Sequence, residues 1–275
     1  MNSTNPTTRP KIVVVGVPYD DNSSFMRGTA AAPPAIRKAF HSDSSNMCAE
    51  DGLDLTDHPH IHDMGDVNPA GGSGASCAMA YIEKYYSGLL EKGFHVISLG
   101  GDHAITLPII RAYAEKYAAL TILQLDAHPD LYDELDGNPY SHACPFARIM
   151  EENLVDHLMQ VGIRTTNPHQ QDQANRFQVE VIDMKAMDAG AKIHVSGDVY
   201  ISLDLDVLDP AFAPGVSHHE PGGMSTREVL RIIQGVEGRI VGADIVEMNP
   251  TRDLNGVTAM VAAKFLKEII GKMLK

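Results

Sequence analysis

Three short segments carry acids and imidazoles, two of them at alternate positions. Asp126-Ala127-His128-Pro129-Asp130 sets an acid, an imidazole and a second acid two residues apart. Asp204-Leu205-Asp206 does the same with two acids, and Gly100-Gly101-Asp102-His103 adds another imidazole. In an extended backbone alternate side chains point the same way, so the first two segments would each turn their polar residues to one side. Asp126, Asp130, Asp204 and Asp206 packed together would repel one another, and their pKa values would be forced upward. Two divalent cations would balance those four charges. Carboxylates and imidazoles without thiolate suit manganese better than zinc or copper. The candidate ligands are therefore His103, Asp126, His128, Asp130, Asp204 and Asp206. A lone Asp-x-His is usually structural, and an Asp at a strand end can simply cap the next helix. What points to a binuclear centre is that several such segments occur in one chain.

The elements that must position them can be read from periodicity. Ile12–Val17, His95–Leu99, Thr121–Leu125, Leu158–Ile163, Val179–Ile182, Val199–Leu205 and Ile240–Val246 read as strands, several of them apolar throughout. That is the pattern of parallel strands covered on both faces. Between them, Ala75–Glu91, Leu107–Lys116, Thr226–Gln234 and Thr258–Met273 have apolar residues recurring at three and four, as in helices. The alternation predicts an α/β fold, a parallel sheet with helices on both sides. In such sheets ligands sit beyond the carboxyl ends of the strands. Four of these strands run directly into His103, Asp126, Asp204 and Glu247.

Composition narrows the class. No apolar run approaches the ~18 residues that cross a bilayer. The net charge of −14 argues against nucleic acid or an anionic membrane as partner and favours a small cationic substrate. Cys48, Cys77 and Cys144 form neither a disulfide framework nor a zinc spacing, which fits a reducing compartment. Residues 1–10 are expected to be a disordered tail or the stub of a transit peptide, and residues 11–275 one domain. The expected location is cytoplasmic, with an organellar one left open.

The motifs Gly100–His103 (GGDH), Asp126–Asp130 (DAHPD) and Ser202–Gly223 (SLDLDVLDPAFAPGVSHHEPGG) resemble the signatures of the ureohydrolases, the family of arginases and agmatinases. The likeness runs along nearly the whole chain, through Asn22-Ser23-Ser24-Phe25, Gly137-Asn138-Pro139-Tyr140-Ser141-His142 and Gly242–Glu247. The stretch NPTRD…GVTAMVAAK is similar to plant-type arginases. The resemblance implies a three-layer αβα fold around an eight-stranded parallel sheet, and two Mn2+ per chain. One ion would be held by His103, Asp126, Asp130 and Asp204, the other by His128, Asp126, Asp204 and Asp206. It also implies that Glu247 pairs with the substrate guanidinium, that Asp130 passes a proton to the leaving nitrogen, and that His142 shuttles protons to solvent. Trimers or hexamers would be the assembly.

The resemblance leaves the substrate between arginine, which it favours, and agmatine or another small guanidino compound. A recognition rim is expected from Tyr132, Asn138, Ser141, Asn167 and His218, with His219 beside it. Several positions depart from the family. Ala104 follows GGDH where many members have Ser, Tyr132 and Asn167 stand where animal-type arginases have Asn and Asp, and the loop before His142 is one residue shorter. His41, His58, His60, His62 and His169 are expected at the surface, Asp209 as a turn brace, and Cys144 as a buried bystander. A mononuclear deacetylase-like amidohydrolase and a non-catalytic metal-binding protein are the other classes. The full ligand set argues against the first, and intact Asp130, His142 and Glu247 against the second.

Overall fold

Strands rich in β-branched residues divide their side chains between two apolar cores, and that division builds the fold. The computed structural model describes residues 10–69 and 74–275, so the expected tail lies, except for Pro10, outside the described residues. Eight strands form one parallel sheet: β1 (Lys11–Gly16), β2 (Ile61–Asp66), β3 (Phe94–Leu99), β4 (Leu120–Leu125), β5 (His157–Val161), β6 (Glu180–Ile182), β7 (Asp198–Asp204) and β8 (Arg239–Val246). Their spatial order is β2-β1-β3-β8-β7-β4-β5-β6. Helices join them: α1 (Ala32–Phe40), α2 (Ala75–Glu91), α3 (Thr106–Ala114), α4 (Pro145–Glu151), α5 (Pro168–Phe177), α6 (Met184–Asp188), α7 (Thr226–Gly235) and α8 (Val257–Met273).

Alternation with period two sends Ile12, Val14, Ile97, Leu123 and Ile201 to one side, against Ile36 of α1, Val229 of α7 and Phe265 of α8. Val13, Val96, Ile122 and Tyr200 face the other side, against Ile82 of α2, Ile109 of α3 and Phe146 of α4. The result is the three-layer αβα architecture, with the sheet buried on both faces. Among the described residues, no helix is long and apolar enough to cross a membrane.

The eighth strand, β2, has no counterpart in the periodicity. Its sequence, IHDMGD, is mostly polar and exposed, because it lies at the sheet edge and pairs only with β1. Charged edge strands resist pairing with other chains. The four strands expected to carry the chemistry, β3, β8, β7 and β4, are neighbours at the centre of the sheet. Gly101 lets the chain turn off β3 there. A Cβ on it would come 1.8 Å from the Tyr19 carbonyl oxygen, so only glycine lets these two backbones meet. That contact is fixed by hydrogen bonds from Gly101 N–H to the Val17 carbonyl (3.0 Å) and from Asp102 N–H to the Tyr19 carbonyl (2.9 Å).

Candidate metal centre and active site

The carboxyl ends of these four strands bring all six expected ligands together, by a local geometry different from the expected one. β4 ends at Leu125, before the ligands, and Asp130 has φ of 50°, in the left-handed region. Asp126, His128 and Asp130 therefore converge from a tight loop rather than from alternate positions of an extended strand. Asp204 closes β7, and Leu205–Val207 is a 3-10 turn, so Asp204 and Asp206 are likewise brought together by a turn. The reason is that Asp126 and Asp204 each tie one oxygen to the backbone N–H two residues on, which curls the chain, while Asp206 binds one loop to the other. Asp126 Oδ1 accepts from His128 N–H (2.6 Å), Asp204 Oδ1 from Asp206 N–H (2.8 Å), and Asp206 Oδ1 from Ala127 N–H (3.1 Å).

The other oxygens face the imidazoles. His103 Nδ1 stands 3.2, 3.1 and 3.3 Å from carboxylate oxygens of Asp126, Asp130 and Asp204. It is buried and makes a hydrogen bond to none of them. Its other nitrogen, Nε2, is 2.9 Å from Ser202 Oγ, and that hydroxyl donates to buried Asp244 (2.8 Å). His128 Nδ1 lies 2.9 Å from Asp206 Oδ2 and 3.6 Å from Asp126 Oδ1. Two donor groups result, His103/Asp126/Asp130 and Asp126/His128/Asp206, with Asp126 common to both.

These residues fit divalent cations. A buried imidazole nitrogen ringed by three carboxylate oxygens, without a hydrogen bond, has the arrangement of donors around a shared ion. Oxygen-rich donors roughly 2.2 Å from one ion and at right angles would lie about 3.1 Å apart. The uncompensated charges tell the same story. Burial, then the charges of Asp206 and Asp126, push Asp204 well above the usual carboxylate range. Burial and Asp126 push Asp130 up to about 6. Burial opposes charge on His128, yet Asp206 and Asp126 raise it to about 12. A positive ion among these groups removes that conflict.

Above the ligands lies a cavity of about 370 Å³, lined among others by Asp130, Asp204, Asp206, His128, His142 and Glu247. Glu247, at the end of β8 with φ of 63°, accepts from His103 N–H (2.9 Å) and pairs through Oε1 with His142 Nδ1 (2.7 Å). Burial disfavours charge on His142, but Glu247 with Asp102 and Asp130 raises its pKa to about 9. The pair is thus held as imidazolium and carboxylate.

The expected recognition residues divide. Tyr132, Asn167 and His218 line the cavity. Asn167 caps α5, its Oδ1 accepting from Gln170 N–H (2.9 Å), while its Nδ2 donates to the Tyr132 hydroxyl at 2.6 Å. Among the described residues, the buried Nε2 of His218 has no hydrogen-bond partner. Asn138 and Ser141 are not on the cavity wall; they shape the loop, Asn138 by donating to Asn22 Oδ1 (3.1 Å) and accepting from Tyr140 N–H (2.9 Å). His219 contacts Pro214 and Arg252 at the surface. Asp209 accepts from Ala211 and Gly222 N–H, bracing its turn, and Cys144 is buried.

Sequence reasoning passed over the residues that orient the ligands. Gln124 donates to Asp126 Oδ2 (2.8 Å) and accepts from Gln160 (2.7 Å). Asp244 receives hydrogen bonds from Thr106, Tyr200 and Ser202. The available signal was a lone polar side chain inside an otherwise apolar central strand, which must find a buried partner. Thr165, Thr166 and Gln170, also on the cavity wall, gave no such signal.

Comparison with known proteins adds four observations. A sequence profile of the Arginase family matches residues 10–271. Arginase 1, mitochondrial, of Arabidopsis thaliana is 44% identical over 277 residues, covering 95% of this chain and 81% of that protein. The agmatinase of Serratia proteamaculans (strain 568) is 35% identical over 272 residues, 94% of this chain and 86% of the other. Among solved structures, the arginase from Medicago truncatula superposes with a TM-score of 0.91 at 41% identity, over 97% of this chain and 88% of that one.

Proposed function

The chain belongs to the arginase family, and from that premise we propose that it hydrolyses L-arginine to L-ornithine and urea with two Mn2+ ions. The observation that carries this reading is the pair of donor groups sharing Asp126 at the floor of the cavity. His103, Asp126, Asp130 and Asp204 would hold one ion, and His128, Asp126, Asp204 and Asp206 the other. When bound, such ions supply Lewis acidity that brings the pKa of water toward neutrality.

The protein's own residues must then hold the substrate and move protons. A guanidinium carbon is a poor electrophile because its charge is spread over three nitrogens, so position matters. Glu247 offers a carboxylate on the cavity wall that can pair with two N–H groups and fix the carbon over the site. The leaving nitrogen changes from N–H to NH3+, gaining two protons, and the water consumed supplies both. Asp130, on the cavity wall, would pass one directly. His142 would handle the other by shuttling protons between the site and bulk solvent, where the balance is kept, a task for a group that accepts and returns a proton.

Tyr132, Asn167 and His218 would read the substrate's head group. Because Asn167 donates to the Tyr132 oxygen, that hydroxyl keeps its own proton to offer to an α-carboxylate. Three unpaired cysteines support a reducing compartment, cytoplasmic or organellar. The family resemblance extends the reading to a homo-oligomer of three or six chains.

Urea release from arginine, agmatine and 4-guanidinobutyrate, with Mn2+ added, tests the assignment. A site built to pair polar groups rejects a ligand lacking them, so arginine should exceed agmatine by roughly a thousandfold in kcat/KM. Tyr132→Phe should erode that ratio and leave metal content unchanged. Equal or faster hydrolysis of agmatine would remove arginine as the substrate and leave family membership standing.

A further inference from the structure

The segment Asn22–Ser24 has no part in the chemistry above, yet it reaches the centre of the site. Ser24 is exposed and lines the cavity. Its hydroxyl stands 2.8 Å from His142 Nε2, on the edge of the ring opposite Glu247. Both imidazole nitrogens are therefore engaged, one by a buried carboxylate and the other by an exposed hydroxyl. His142 itself is buried. Ser24 thus sets a solvent-exposed hydroxyl against the Nε2 edge of a buried ring.

A serine in a surface loop ordinarily samples several positions; this one is held. Fully buried Asp102 accepts through Oδ2 from Asn22 N–H and from the Ser23 hydroxyl, both at 3.1 Å. His142 N–H donates to the Asn22 carbonyl (3.1 Å), and Asn138 Nδ2 to Asn22 Oδ1 (3.1 Å). Four hydrogen bonds fix the two residues before Ser24. One comes from the backbone of His142 and ties this loop to the residue that carries the ring.

We propose that Ser24 is the relay through which His142 exchanges protons with bulk water, a role that rests on the shuttle assigned to His142. In the outward step the Nε2–H bond breaks and its proton bonds to Ser24 Oγ. The original Ser24 O–H bond breaks in concert, and that proton passes to a water molecule. The imidazolium becomes neutral, serine remains a hydroxyl, and the charge leaves as hydronium; the inward step is the reverse. A hydroxyl suits this because it donates and accepts at once and carries no charge between steps. Ser24 thus acts through His142 and is a positioning and relay residue.

Ser24→Ala removes the hydroxyl from an exposed loop residue and spares the four anchoring bonds. In dilute buffer kcat should fall about tenfold, with KM held within about twofold, a fraction of the effect of a full acid–base group. Raising imidazole concentration should restore the rate, since a small base can reach Nε2 directly. Ser24→Thr, which keeps a hydroxyl, should stay near the unmodified rate. Unchanged turnover in Ser24→Ala, or a loss that imidazole does not repair, overturns the relay. His142→Ala in the same assay separates the two ideas. If it turns over normally, the shuttle fails and the relay with it; if it is slow while Ser24→Ala is normal, only the relay fails.

Discussion

Asp126 carries more of the centre than any other single side chain. It belongs to both donor groups, its Oδ2 accepts from Gln124, and its Oδ1 fixes the His128 backbone. Asp126→Asn keeps the shape and removes the charge that two cations would share. Metal content after Mn2+ loading should approach two equivalents per chain in the unmodified protein and fall below one in Asp126→Asn. A saturated value of one equivalent in the unmodified protein would end the binuclear assignment. At this scale the gathering of acids and imidazoles was legible in the sequence, because such residues following apolar strands have few bland explanations when they recur. The partnership of Ser24 with His142 was not, because it joins residues 118 positions apart and leaves no mark on local spacing.

Among the elements, the crossing of the β1 and β3 ends sets where His103 stands. Gly101→Ala would drive a Cβ into the Tyr19 carbonyl, so one backbone must move. The variant is expected to melt several degrees lower and, because misplaced ligands typically cost metal affinity 10–100-fold, to bind Mn2+ roughly tenfold more weakly. Calorimetry and a metal titration measure the two effects, and unaltered Mn2+ affinity would show that the crossing does not govern the ligand. Seven strands and four long helices are visible as period-two and 3.6-residue patterns. α4 and α6, at seven and five residues, are too short to show a helical period. α1 opens on Pro33-Pro34, which resembles a turn, and the moment of α5 is hidden in a polar sequence, PHQQDQANRF. The turns at Asp130 and Leu205 were hidden too, because they depend on side-chain capping that alternation does not encode.

For the whole molecule, four buried acids at the middle of the sheet make stability depend on what binds them. A cation at a hundredfold over its Kd adds about 2.7 kcal/mol per site, or roughly 5–10 °C in a protein of this size. Chelation should therefore lower the melting temperature by at least that much, and Mn2+ should restore it. A melting temperature indifferent to both would mean that these carboxylates are stabilised some other way. Two residues at this centre add a different constraint. Asp130 and Glu247 both hold left-handed backbone, a conformation that disfavours ordinary side chains by about 1–2 kcal/mol, is eased by a short polar chain such as Asp, and suits glycine best. At both positions glycine would relax the backbone furthest, and glycine carries no carboxylate. A laboratory selection rewarding heat tolerance alone would thus push both sites toward residues that cannot pair with a guanidinium or pass a proton, trading turnover for endurance.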